Sequence, residues 1–349
     1  MVEIPVAGAG PAGLAAALTL ARAGARPVVY ERRHEVGARH HGDFQGLENY
    51  STRGDVLEEL AGIGITTEFD CHPVAEAVLY GPDGRAWRYR ASTPLFYMVR
   101  RGVEAGSLDQ GLKRQALAHD IELRFGTALA ETASGVRATG PRGSYAIVVG
   151  YLFPTTLPDA LIGVLSDRLA PQGYAYLVTA GGRATLACCI FADRANYRRY
   201  LDRTVAFFQA RAGIDLAGAR RFGGTGNVRL PATARCNGGG TLLAGEAAGF
   251  QDALWGFGLR YAMVSGHLAA RALLERDPAS YDRRWRARFG GLIRASLVNR
   301  YFFSRLGDRG YGAFLRRLGS ADDAREWLHH HYAPSAWKDL WYLLLRGAN

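Results

Sequence analysis

The apolar positions fall into runs whose lengths and boundaries predict most of the elements. Residues 2–7 form a short continuous apolar run that predicts a buried strand, with Pro5 an oddity because a central strand loses a ladder donor there. Residues 11–23 are alanine- and leucine-rich without a polar face, predicting a buried helix closed by Gly24. A second strand, 27–30, ends on Glu31. Residues 71–98, with a turn at Gly81-Pro82-Asp83-Gly84, and 145–225 alternate in the manner of an antiparallel sheet, interrupted by helical periodicity over Tyr197–Ala212. Residues 108–118 predict a helix, 242–244 a buried strand, and the segment after Gly258 a long helix. From Pro278 onward the pattern is helical and rich in aromatics and arginines. No run approaches the ~18–20 apolar residues of a membrane span.

Composition narrows the function classes. The 349 residues, 48% hydrophobic, suffice for two domains or one large discontinuous one. The net charge of +11 rests almost wholly on arginine, since only Lys113 and Lys338 are lysines. These arginines are scattered in short pairs rather than gathered into a stripe, which argues against nucleic acid and for anionic cofactors, pyrophosphate substrates or an anionic membrane surface. Cys71, Cys188, Cys189 and Cys236 make neither a disulfide framework nor a CxxC metal pair. His329-His330-His331 would project about 100° apart on a helix and cannot share one ion, so no metal site is expected. The first residues run into a glycine motif without the basic start of a secretory signal, so the cytoplasm is the expected compartment. The amphipathic, cationic carboxyl end is suited to a peripheral membrane contact, to covering a lipid tunnel, or to packing on its own domain.

Chemistry enters at Gly8-Ala9-Gly10-Pro11-Ala12-Gly13, set between the first strand and the first helix. Gly8 permits the tight turn, Gly10 the approach of a pyrophosphate, and Gly13 close packing of helix and strand. The helix N-terminus at Pro11 and Ala12 stabilises phosphate charge, and Glu31 at the next strand end can accept hydrogen bonds from an adenosine ribose, with Arg32 beside it. This is a dinucleotide-binding unit.

The segment Gly245-Glu246-Ala247-Ala248-Gly249, followed by a loop with Gly256 and Gly258 and a helix from Leu259, resembles the second flavin motif of the p-hydroxybenzoate hydroxylase-fold flavoproteins. The resemblance implies FAD: the acid binds the ribityl chain and the helix N-terminus faces the flavin N1–C2=O edge. Glu246 replaces the family's Asp, and Ala253 stands where a Pro is common. Val99-Arg100-Arg101 with Ser107-Leu108-Asp109 resembles the family's arginine-then-Leu-Asp segment, so Arg101, or else Arg100, is a candidate flavin or phosphate contact, a solvated surface pair being the alternative. Ala138-Thr139-Gly140 resembles the turn ending a flavin-domain strand. The fold class implied is α/β: a Rossmann-type FAD-binding domain built from 1–70, 96–142 and 228–277, an antiparallel-sheet substrate domain from 71–95 and 143–227, and a helical region over 278–349.

Within this fold the chain is most similar to the geranylgeranyl reductase-like branch. The loop Gly37-Ala38-Arg39-His40-His41-Gly42-Asp43 resembles the one passing beside the flavin there, with His41 or its neighbour where such reductases often carry a Cys. Arg39 joins the candidate cofactor contacts, and His41 is a candidate proton donor because imidazole titrates near neutrality; Asp43 and Gln45 are further polar candidates. Tyr174-Ala175-Tyr176 is similar to the branch's Tyr-x-Trp motif over the substrate cavity, with Tyr176 for Trp and Val178-Thr179 for Phe-Pro; plain sheet packing is the alternative. Trp255 and Phe257 are expected pocket walls. The activity implied is hydride transfer through flavin N5 to a C=C bond of a hydrophobic small molecule, isoprenoid or natural product, with NAD(P)H as transient donor. Two other activities stay open: a monooxygenase (hydroxylase or epoxidase) acting through a C4a-hydroperoxide, and a flavin-binding cyclase without redox turnover.

Overall fold

A computed structural model describes residues 3–130, 133–141 and 143–347. Val2, the first residue of the expected opening strand, lies outside them. The amino-terminal elements are β1 (Glu3–Ala7), α1 (Pro11–Arg22), β2 (Arg26–Glu31), β3 (Phe44–Glu48) and α2 (Val56–Gly62). Next come β4 (Cys71–Val74), β5 (Glu76–Tyr80), β6 (Ala86–Arg90), β7 (Phe96–Arg100), α3 (Leu108–Ala118), β8 (Glu122–Phe125) and β9 (Gly135–Arg137). The middle of the chain gives β10 (Ala146–Pro154), β11 (Ala160–Val164), β12 (Tyr174–Ala180), β13 (Arg183–Ile190), α4 (Tyr197–Ala212) and β14 (Arg220–Gly226). After β15 (Arg235–Cys236) and β16 (Thr241–Leu243) the rest is helical: α5 (Leu259–Leu274), α6 (Ser280–Trp285), α7 (Gly291–Phe303), α8 (Gly307–Gly319), α9 (Ala324–Tyr332) and α10 (Ala336–Gly347).

The first sheet runs β15-β16-β9-β1-β2-β8, parallel except for the β15 edge. Pro5 fits because β1 meets β9 only from Val6 onward, so at Pro5 the described ladder is with β2 alone. Helices α1 and α5 cover this sheet side by side, and Gly266 permits the crossing: a Cβ there would lie 2.0 Å from the Ala12 carbonyl oxygen. The apolar residues of α1, Leu14, Leu18 and Leu20, are fully buried in that core, which explains a helix with no polar face.

The second sheet, β14-β10-β13-β12-β11-β5-β6, is antiparallel apart from the β11–β5 pair and carries α4 on one face. A three-stranded sheet, β3-β7-β4, connects the two. The helical end is divided between neighbours. Tyr281, Trp285, Phe289 and Ile293 complete the core of the first sheet. Tyr311, Leu315, Leu318, Ala324 and Tyr332 pack with Phe96, Met98 and Val178 over the other face of the second. Helix α10 lies on α7, through Trp341 against Tyr301 and Phe302, and leaves Trp337, Leu340, Leu343 and Leu344 exposed. Among the described residues no helix is long and apolar enough to cross a membrane.

Candidate functional site

The three glycines at the head of α1 occupy three different steric situations. Gly8 has φ +100°, and a Cβ on it would lie 2.5 Å from the Ala138 carbonyl oxygen. At Gly13 a Cβ would lie 1.9 Å from the Gly8 carbonyl oxygen. At Gly10 it would meet nothing within 4 Å. The first two glycines close the turn; the third faces open space. No side chain caps α1 and no acid lies in its first turn, so its leading amides remain directed at that space. Glu31 borders it and accepts from the Ala9 and Arg33 amides, each at 2.9 Å. An anionic dinucleotide fits these residues.

One cavity of about 900 Å³ begins here. Gly8, Gly10, Pro11, Ala12, Glu31, Arg32 and Gly140 line one end. Its middle is bounded by Arg39, His40, His41, Gln45, Arg101, Gly245, Glu246, Gly256, Gly258 and Leu259. The far end is apolar, walled by Leu79, Met98, Leu161 and Leu165 from the sheets and by Phe314, Leu318 and Leu328 from α8 and α9. Tyr174, Tyr176, Trp255 and Phe257 line the same space. The sequence-predicted site residues therefore surround one cavity, except Gly13, which packs against Gly8, and Arg100, the alternative to Arg101, which is held instead by Asp70 and Glu104.

Each middle residue has a definite setting. Helix α5 begins without a side-chain cap at Gly258, and Gly245 and Gly256 hold positive φ angles of +61° and +84°. Burial raises the Glu246 pKa, opposed by Arg39, which lies 3.4 Å away and also donates to the Thr225 carbonyl at 3.0 Å. Arg100 and Arg101 are both buried, so the solvated-pair alternative does not hold. Arg101 engages Asp109 through two bonds of 2.9 Å and Gln45 through a third. Burial disfavours both charges, yet each partner outweighs it, leaving Asp109 below and Arg101 above their ordinary values. The guanidinium's role as a cofactor contact is thus limited to the edge it presents to the cavity.

The two loop histidines divide. His41 is exposed at the rim, with its ring 6.4 Å from that of Phe222. His40 is the one set among Arg101, Asp109 and Asp43, where burial and the Arg101 charge push its pKa down to about 3. It is a neutral imidazole at physiological pH. Tyr174 donates to the Trp255 carbonyl, and its ring meets Trp255 edge-on at 5.6 Å. Burial raises the pKa values of both Tyr174 and Tyr176 far above the ordinary phenol range.

Two features had no counterpart in the sequence reading. Phe257 packs against Gly46 of β3, where a Cβ would lie 2.2 Å from the ring. Asp252, 2% exposed, accepts from the Trp255 amide at 2.6 Å, while its other oxygen lacks a hydrogen-bond partner. The sequence signal for it was an acid inside an otherwise apolar loop.

Comparison with known proteins places this site in context. Residues 6–51 match the family model described as an NAD(P)-binding Rossmann-like domain. The chain is 26% identical to digeranylgeranylglycerophospholipid reductase 2 of Methanopyrus kandleri, over 93% of this chain and 92% of that protein. It is 24% identical to digeranylgeranylglycerophospholipid reductase of Haloferax volcanii, over 92% and 90%. Among solved structures, a geranylgeranyl bacteriochlorophyll reductase-like protein from Thermoplasma acidophilum superposes with a TM-score of 0.72 at 19% identity, covering 98% of this chain and 95% of that one. A flavin-dependent brominase gives 0.67 at 16% identity, over 99% and 98%. The resemblance to geranylgeranyl reductase-like flavoenzymes, and the α/β fold it implied, therefore hold along nearly the whole chain.

Proposed function

We propose that the protein is an FAD-dependent reductase that saturates a C=C bond in a hydrophobic isoprenoid or natural-product substrate, with NAD(P)H as transient electron donor. The observation that most supports this reading is the continuity of the cavity, from a phosphate-binding turn to an apolar chamber. With FAD held by these residues, the chemistry available to the chamber would be hydride transfer to an alkene. Gly8, Gly10 and the head of α1 would receive the pyrophosphate, and Glu31 and Glu246 would accept from the ribose and ribityl hydroxyls. The uncapped head of α5 would face the flavin edge where negative charge collects. Trp255, Phe257, Tyr174 and Tyr176 exclude water and orient the alkene. With pKa values so far raised, the two tyrosines position rather than transfer protons at neutral pH. His41, at the rim, is the candidate proton source for the second carbon.

The test is anaerobic reduction of the holoprotein with NAD(P)H, followed by reoxidation with prenyl alkenes and, separately, with oxygen. Alkene-driven reoxidation with a saturated product supports the proposal. Rapid oxygen consumption with hydroxylated product replaces it with a monooxygenase.

A further inference from the structure

The apolar chamber stops against a thin wall. Tyr89 of β6, Leu318 at the end of α8 and Ala324 at the start of α9 line its far end. The same three residues line a second, smaller recess of about 430 Å³. This recess lies along β6, the edge strand of the second sheet, and against the α8–α9 turn at Gly319, Ala321 and Asp322. Tyr89, Leu318 and Ala324 are buried, whereas Arg88, Arg90, Gly319 and Asp322 around the recess are exposed. One layer of side chains therefore separates the apolar chamber from a space that opens to solvent.

The wall is held from both ends. Tyr89 shares a face of the sheet with Ala77 of β5, its cross-strand partner. Its hydroxyl donates to the Leu315 carbonyl at 2.9 Å, one helical turn before Leu318. Gly319 brings the end of α8 against β6, since a Cβ there would lie 2.9 Å from the Trp87 ring. Asp323 caps α9 with one oxygen, accepting from the Arg325 and Glu326 amides at 2.8 and 3.1 Å. Its other oxygen accepts from the Ser92 amide at 2.7 Å and so fixes the turn to the chain after β6. These contacts leave the three wall residues unequal. Tyr89 is tethered by its hydroxyl, and Ala324 offers only a methyl group. Leu318 is held by packing alone and supplies the remaining bulk.

We propose that Leu318 is a specificity-determining stop that sets how long a hydrophobic chain the chamber accepts, and that shortening its side chain joins the chamber to the recess behind it. A chain bound in the chamber gains affinity with every methylene it buries, ~fourfold per CH₂. The gain ends where the chain meets this wall, because a further methylene must bend back or stay in water. The inference rests on the proposed function only in taking the ligand to be a hydrophobic chain.

The experiment titrates the holoprotein with saturated n-alkanols of increasing length, followed by calorimetry, for the parent, Leu318→Ala and Leu328→Ala. Leu328 of α9 lines the chamber but not the recess, so its truncation removes similar packing without opening the wall. Parent affinity should climb with chain length and then level off. In Leu318→Ala the climb should continue past that limit. The alkanol two carbons beyond the parent's limit should then gain at least fivefold over the one at the limit, relative to the same ratio in the parent. Leu328→Ala should keep the parent's limit. Leu318→Val, a smaller truncation, should extend the limit by less and carries the test if the alanine variant does not fold. One limit shared by the parent and the Leu318 variants overturns the proposal, as does an equal shift in Leu328→Ala or a parent affinity independent of length. A saturated alkanol has no C=C bond to reduce, so the stop can stand where the proposed activity fails, and the converse also holds.

Discussion

Replacing Asp252 with Asn should remove a large, pH-dependent burden from the folded state. The carboxyl is buried, Oδ2 accepts from the Trp255 amide at 2.6 Å, and the Asp252 backbone closes the loop through bonds to Phe257 at 2.8 Å and Gly256 at 3.1 Å. Desolvation raises its pKa from 3.8 to about 7, the Glu48 charge adding to the effect. The folded protein therefore keeps a proton between about pH 4 and pH 7 that the unfolded chain has released. Stability is greatest below the unfolded value, falls by ~1.4 kcal/mol per pH unit through that window, and levels off above it. The total is on the order of 4 kcal/mol. Asparagine keeps the acceptor for Trp255 and replaces the protonated oxygen with a neutral amide. Parent and variant should match within ~1 kcal/mol near pH 4, and the variant should be the more stable by about 4 kcal/mol near pH 8. Denaturant unfolding across that range measures the difference, and contributions from other groups, such as Glu246, cancel in it. Parallel stability curves for the two proteins would show that Asp252 is ionised throughout and the reasoning wrong.

Gly10→Val and Gly13→Val should fail differently: the first folds but does not retain flavin, because its side chain enters open cavity space, whereas the second disrupts the turn itself. Absorbance for flavin and circular dichroism for folding separate the two. Arg101→Leu should destabilise by about 3–5 kcal/mol, since it leaves the buried Asp109 carboxylate unpaired; recovery of much of that loss in Arg101→Leu/Asp109→Leu, by denaturant unfolding, is the check. His41→Ala should retain flavin and its reduction while slowing alkene turnover by ~10²-fold or more. Unchanged turnover would assign the proton to water.

The parts of the fold that were legible from sequence are those in which neighbours in the chain are also neighbours in space. The turn at Gly8–Gly13, Glu31 at the next strand end, and the Gly245–Leu259 segment each carry their physical reason within a few residues. The helix Tyr197–Ala212 likewise follows from its own periodicity. Residues whose meaning depends on a distant partner were less legible. Arg101 looks like either a ligand contact or a surface cation until Asp109 and Gln45 are seen around it. His40 and His41 are interchangeable in sequence, yet one lies among buried charges and the other at the rim. Gly266 is an ordinary small residue in a helical run until α1 is laid across it. The adjacent arginines 220 and 221 part company on β14, one donating to the His41 carbonyl and the other lying over the Tyr197 ring at the start of α4.

The carboxyl end extends the same argument to the site as a whole. Its pattern suggested a surface helix, a membrane contact or a tunnel cover, and different parts of it do different things. Helix α10 is the exposed part, whereas α8 and α9 wall the far end of the cavity. Helix α9 also reaches under the loop that carries Tyr50. Arg325 donates to the carbonyls of Asn49, Thr52, Arg53 and Gly54, and the Nδ1 atom of His329 lies 3.1 Å from the Tyr50 carbonyl. The Tyr50 ring in turn lines the cavity and meets Phe257 and Tyr332 edge-on. One guanidinium thus fixes four carbonyls that no regular element satisfies. This makes a segment some 270 residues away a structural condition for the wall beside Trp255 and Phe257. Arg325→Ala should therefore lower apparent affinity for a hydrophobic substrate more than it lowers flavin content, because its partners border the apolar chamber rather than the phosphate turn. Equal loss of both, measured by flavin absorbance and by calorimetry with a prenyl alcohol, would show that the loop supports the whole fold instead of the chamber.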